Sequence, residues 1–180
     1  MSRLAHAWWW VLDYAWAGLA AASMIAAPSS PEAYREPGGA PVVVVPGLWE
    51  RWQYARPLIE ALHRAGCDVH VREDLGRNVD PVSAGASRLI ELVDRRGLND
   101  VVVVGHSKGG LIGKLAMARD SEHRIRHLVA ICTPFSGSSR ARLVPGRPFA
   151  ELHPRADLIT ALAASSGLSA RITAFSARYD

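Results

Sequence analysis

The 180-residue sequence holds only two cysteines, Cys67 and Cys132. Two cannot form a disulfide framework, and their spacing is not that of zinc ligands. Each sits beside an apolar run, so both read as buried free thiols, which suits a reducing compartment. Charge of one sign is also scarce. The 21 basic and 17 acidic residues leave +4 with no block of like charges, which argues against a dedicated nucleic-acid surface. No internal repeat is visible. A content of 49% hydrophobic and 21% charged residues is ordinary for a globular chain, and excludes wholesale disorder and fibrous architectures. The length fits about one domain.

Formal charge is nearly absent from Ala5 to Ala27, where Asp13 is the single charged side chain and four of the six tryptophans fall (Trp8, Trp9, Trp10, Trp16). The length matches a membrane span of roughly 20 residues. Against a span stand the alanine content and Asp13, which costs about 2.5–3.5 kcal/mol near the middle of an inserted helix. Leu4, Trp8, Leu12, Trp16 and Leu19 recur at spacings of three or four and form one stripe, the pattern of an amphipathic helix. Three readings stay open: a helix packed on the domain or lying at a membrane surface, a true span, and a cleaved signal. They place the chain in the cytoplasm or at a membrane ahead of cleaved secretion. Pro28-Ser29-Ser30-Pro31 ends this helix. The chain therefore divides into an apolar N-terminal helix (1–27), a Pro/Gly-rich linker (28–40) and a domain (41–180).

From Pro41 onward strands and helices alternate. Val42 to Val45, Cys67 to Val71, Val101 to Val104, Ile125 to Cys132 and Ile172 to Phe175 read as strands. Helical spacing of apolar residues runs over Trp49 to Ala65, where Pro57 is expected to weaken or kink the helix, over Val82 to Val93, over Leu111 to Ala118 and over Leu158 to Ala164. Thr133 to Pro148 reads as a loop. Strands that are apolar throughout, separated by helices, predict an α/β fold: a mainly parallel sheet with helices on both faces.

The stretch Val101-Val-Val-Val-Gly105-His106-Ser107-Lys108-Gly109-Gly110-Leu111 carries the chemistry. It contains G-x-S-x-G, which arises by chance in about 6% of chains this long if Gly and Ser each stand near 7%. Here an apolar strand precedes it and a helix follows, as a nucleophile elbow requires. Gly105 and Gly109 leave room for the sharp turn, and the helix N-terminus favours developing negative charge. A phosphate loop competes for the same glycines, since Gly109 to Lys114 reads G-x-x-x-G-K, but the spacing is one residue short and Leu115 stands where a magnesium-binding hydroxyl is needed.

With these residues the stretch from Pro41 to Asp180 resembles the α/β-hydrolase family, and in particular its lipases and esterases. The resemblance implies hydrolysis of a carboxylic ester through an acyl-enzyme on Ser107. It implies an oxyanion hole formed by the backbone N–H of Leu48, in the loop Val45-Pro46-Gly47-Leu48, and of Lys108. Pro46 stands where the family often has His. Thr133-Pro134-Phe135-Ser136-Gly137-Ser138 resembles the turn that shapes the mouth of the site in lipases. Ile172 to Asp180 resembles the strand that delivers the triad acid, which makes Asp180 the acid; Asp157 is a second candidate. An acyl-ester substrate is implied, with no metal and no organic cofactor, and Leu48, Trp49 and Phe135 supply apolar lining.

The family's order is Ser, acid, His, and no His follows Asp180 in this sequence, so the sheet is expected to be incomplete at its C-terminal edge. The seven histidines are His6, His63, His70, His106, His123, His127 and His153. His123 and His127, four apart, suggest a metal pair but flank two arginines in what reads as a solvated turn. His153 is a candidate substitute base. Two functional expectations follow. One is a serine ester hydrolase impaired by the lack of its base. The other is a non-catalytic α/β-hydrolase-like binding or accessory module. The oligomeric state is not legible.

Overall fold

The computed structural model describes residues 30–71, 73, 76–138, 141 and 147–176. The N-terminal helix expected over 1–27 lies outside the described residues. Among the described residues no helix is long and apolar enough to cross a membrane.

Among the described residues, five strands form one sheet: β1 (Ala40–Val45), β2 (Cys67–Val71), β3 (Val101–His106), β4 (Ile125–Ile131) and β5 (Ile172–Phe175). Their order is β2-β1-β3-β4-β5 and every pairing is parallel. The helices are α1 (Arg56–Arg64), α2 (Val82–Arg96), α3 (Lys108–Arg119), α4 (Arg147–Ala150) and α5 (Asp157–Ala164). This is the α/β architecture expected from the alternation of elements.

The valine runs explain why both faces are covered. Side chains alternate along a strand. Val43, Val45, Val101 and Val103 join Leu89, Leu111 and Ile112 in one core, while Val42, Val44 and Val69 join Tyr34, Trp52 and Ile59 in the other. A strand apolar on both sides is stable only between two layers. β5 closes the row at one edge; Ile172 is half-buried and Thr173, Ala174 and Phe175 are exposed.

Several local expectations change. Pro57 does not kink a long helix. A 3-10 turn (Trp52–Ala55) comes first, and Pro57 lies in the first turn of α1, where its lack of an N–H costs nothing. Gly109, Gly110 and Gly113 all lie within α3, so no phosphate loop exists there. Cys67 and Cys132 are free but half-exposed rather than buried. His127 belongs to β4 and bonds Thr173 Oγ1 at 2.9 Å, while His123 sits in the preceding turn, so the two do not form a helical pair. Within the stretch read as a linker, Pro31–Tyr34 form a 3-10 turn and Tyr34 is buried.

Because all strands run the same way, the loops that follow them gather along one edge of the sheet. The chain leaves β1 toward β2 on one side and later continues from β3 toward β5 on the other. The loops after β1 and β3 therefore diverge, and open parallel sheets hold their crevice at such a switch point.

Candidate active site

Ser107 sits at that switch point, between β3 and α3, with φ 50° and ψ −117°. A non-glycine residue in this region costs about 1–3 kcal/mol and persists only where its surroundings hold it. They do so here: the Ser107 N–H donates to Ile131 C=O at 2.8 Å, and the Ser107 C=O accepts from Gly110 N–H at 3.1 Å. The sequence motif predicts a turn over 105–110, yet strand and helix close to within one residue of each other. Two glycines make that possible. A Cβ on Gly105 would lie 2.5 Å from Gly110 N, and one on Gly109 would lie 2.2 Å from Val45 O and 2.9 Å from Pro46 O. The second contact also shows that the N-terminus of α3 abuts the end of β1. The start of the loop after β1 and the first turn of α3 therefore lie side by side.

The loop after β1 is itself a strained turn. Glu50 N–H donates to Gly47 C=O at 3.3 Å, and Trp49 takes φ 64°. Trp49 is 56% exposed, with its ring edge-on to Phe149 at 5.1 Å. Leu48 is half-buried. The Glu50 carboxylate folds back on the loop, where Oε2 accepts from Gly47 N–H at 2.7 Å and contacts His106 Nδ1 at 2.8 Å. Tyr54 stacks on His106, with centroids 5.9 Å apart and planes at 26°. Burial pushes the Tyr54 phenol above its ordinary value, and the Glu50 charge pushes it further.

Lys108 brings a second device that its N–H role does not suggest. Its side chain is fully buried, and Nζ donates to Asn78 C=O at 3.0 Å and to Asp80 C=O. Desolvation lowers its pKa, with Glu151 and Asp80 opposing. Asn78, buried at φ 50°, donates from Nδ2 to Pro46 C=O at 2.6 Å. The 78–80 loop is thus tied both to the elbow and to the loop after β1. Glu151 in turn accepts the Val82 N–H at 2.9 Å and satisfies the start of α2.

Glu50, Tyr54, Asn78 and the Lys108 side chain are absent from the sequence reading. A signal existed for Glu50 alone: a carboxylate three residues after an N–H has the reach of a capping box, and Gly47-Leu-Trp-Glu50 supplies it. Thr133 lies at the end of β4 with Oγ1 buried and unpartnered, and a Cβ on Gly110 would meet that oxygen, so α3 packs tightly there. Phe135 lies below the Lys114 ammonium at 5.3 Å. Asp180 lies outside the described residues.

Each described histidine has its own setting. His70 bonds Asp68, His106 pairs with Glu50, and His127 meets Thr173. His63 packs edge-on against Tyr34, and His123 lines a groove of about 450 Å3 at the C-terminal end of α3, the far end from Ser107. His153 Nδ1 accepts the Arg155 N–H at 3.1 Å, so its neutral ring carries the proton on Nε2 and offers no free lone pair there. Asp157 occupies the first turn of α5.

Residues 42–179 match the sequence profile of the alpha/beta hydrolase family. The chain belongs to the alpha/beta hydrolase family. Among solved structures, a Bacillus licheniformis lipase in its mature form is 20% identical, with a TM-score of 0.61 over 82% of this chain and 68% of that one. Its propeptide form gives a TM-score of 0.56 at 19% identity, over 82% of this chain and 37% of that one. A phospholipase of Legionella pneumophila gives 0.55 at 17% identity, over 77% of this chain and 38% of that one. At these identities the likeness is one of fold. Members of this alpha/beta hydrolase family are generally hydrolases, and the structural neighbours of this one include a lipase and a phospholipase.

Proposed function

We propose that this alpha/beta hydrolase is a serine hydrolase of carboxylic esters, with Ser107 as nucleophile. The observation that carries the reading is Ser107 at φ 50°, ψ −117° on the β3–α3 turn, at the switch point of the sheet and beside the loop after β1. Ser107 Oγ would attack the ester carbonyl carbon, its proton would pass to a base, and the carbonyl oxygen would take the negative charge. The N–H groups of Lys108 and Leu48 would hold that oxyanion, helped by the N-terminal end of α3. Collapse expels the alcohol, which takes up a proton, and leaves an acyl group on Ser107 that water then removes. Leu48, Trp49 and Phe135 would face the acyl portion, and Asp180 would orient the base.

Three described histidines are engaged by side chains: His70 bonds Asp68, His106 pairs with Glu50 and His127 meets Thr173. Removing a triad member lowers turnover by about 10³–10⁶-fold, with residual catalysis left to the oxyanion hole. The engagement of His70, His106 and His127 in these bonds favours a second reading, a binding module that holds an acyl ligand without turning it over.

A fluorophosphonate probe decides between the two. Covalent labelling of the folded chain that disappears in Ser107→Ala supports the hydrolase. Absence of labelling of the folded chain supports the binding module. The membrane contact expected of residues 1–27 is proposed separately, and carbonate extraction of membranes reads it.

A further inference from the structure

We propose that Glu50 is a positioning residue that sets the Leu48 N–H against Ser107; the proposal rests on the reading of Ser107 as nucleophile. Two peptide units flank Gly47. In the first, Pro46 C=O accepts from Asn78 Nδ2 at 2.6 Å and Gly47 N–H donates to Glu50 Oε2 at 2.7 Å. In the second, Gly47 C=O accepts from Glu50 N–H at 3.3 Å. A trans peptide points its N–H opposite to its C=O. Holding Gly47 C=O toward Glu50 therefore turns the Leu48 N–H the other way. Three of the four polar groups in these units are fixed by bonds, and the fourth is the donor the oxyanion needs.

The turn does not hold itself in this shape. Trp49 at φ 64° is a conformation that a bulky L-residue resists, so the loop depends on its ties. The Glu50 carboxylate is the tie that also reaches the nucleophile. The same Oε2 that takes the Gly47 N–H lies 2.8 Å from Nδ1 of His106, the residue immediately before Ser107. An ionised carboxylate only accepts, so Nδ1 carries the proton. Stacking on Tyr54 fixes the plane of that ring. One oxygen atom thus joins the backbone one residue before Leu48 to the side chain one residue before Ser107. Gly47 is the residue that admits this arrangement, because a Cβ there would stand 2.9 Å from Oε2 and 3.0 Å from Cδ and Oε1 of Glu50.

The test uses the full 180-residue chain and a fluorophosphonate probe, measuring the maximal labelling rate constant and the half-saturating concentration separately. Glu50→Ala is expected to lower the maximal rate about tenfold to a hundredfold with half-saturation unchanged, the loss typical of a displaced catalytic group. Gly47→Ala, which keeps Glu50 but pushes its carboxylate away, moves the rate in the same direction. Glu50→Gln, which keeps an acceptor oxygen at Oε1, stays within about threefold of the wild type. Urea midpoints separate a loss of positioning from a loss of folding, and Gly47→Ala decides the matter if Glu50→Ala does not fold. Wild-type rates in both alanine variants, with labelling still lost in Ser107→Ala, overturn the positioning role and leave the nucleophile standing. Labelling that survives Ser107→Ala, or no labelling of the folded wild type, overturns the nucleophile reading and the proposal with it.

Discussion

Among the described residues are two carboxylate–histidine pairs with nearly the same contact and opposite surroundings. Asp68 and His70, 3.0 Å apart, are both buried in β2. The Asp68 carboxylate also takes two bonds from Arg35, at 2.6 and 2.9 Å, and one from Glu36 N–H at 2.9 Å. Glu50 and His106, 2.8 Å apart, join a loop to the elbow at the C-terminal edge of the sheet and stay partly open to solvent. Burial alone would raise Asp68, yet the bonds from Arg35, Glu36 and His70 hold it at about 2. Desolvation pushes His70 below its ordinary value, and the Arg35 charge adds to this. The first pair ties the 31–36 segment to the sheet, whereas the second lies where strained backbone collects. A carboxylate against an imidazole therefore says little about function by itself; the place of the pair in the topology decides.

The sharpest way to break this contrast lies at Ser107. Ser107→Ala should reduce fluorophosphonate labelling by at least about 10³-fold while leaving the urea midpoint nearly unchanged. A retained rate would remove the functional side of the comparison. On the structural side, Asp68→Ala leaves Arg35, His70 and the Glu36 N–H without their shared acceptor, and should cost about 2–4 kcal/mol in urea unfolding. Its labelling rate under native conditions should match the wild type, and a fall comparable to that of Glu50→Ala would merge the two pairs into one network.

Acid titration gives the next effect in size. The Asp68 pKa is lowered from 3.8 to about 2, so the folded state favours its charged form. Its contribution is present above pH ~4 and is lost as pH falls from about 4 to 2. The loss corresponds to about 2 kcal/mol. His70 acts in the same direction: its lowered pKa gives stability that is present above about 6.5 and declines as the unfolded chain takes up a proton below that. Urea unfolding at a series of pH values should show the Asp68 loss in the wild type and not in Asp68→Asn. An identical acid limb in both would refute the clasp.

The smallest expected effect concerns the base. Added imidazole should speed labelling of Ser107 several-fold above the rate without it, because a free base can take the Ser107 proton. Subtraction of Ser107→Ala removes the background reaction. No acceleration would mean that proton removal does not limit the step.

The elbow was legible because its determinants are local. Four valines, Gly105, Ser107 and Gly109 lie within nine residues, and each demand of the turn, an extended run, a strained centre and two positions without Cβ, is met by a neighbour in sequence. Pro57 misled for the reverse reason. Helical spacing cannot show where a first turn begins, and a proline harmful inside a helix is harmless at its start. Glu50 meets His106 across 56 residues, and Lys108 Nζ reaches Asn78 across 30. No periodicity encodes such contacts.

The order of strands and helices, the two-faced core and the position of Ser107 follow from short-range pattern: alternation of side chains along a strand and the steric needs of a tight turn are properties of a few consecutive residues. The bracing of the Leu48 loop, the burial of the Lys108 ammonium and the difference between the two carboxylate–histidine pairs arise only when the sheet assembles. Parallel packing brings the ends of β1 and β3 side by side, and only then do groups far apart along the chain come within hydrogen-bonding distance.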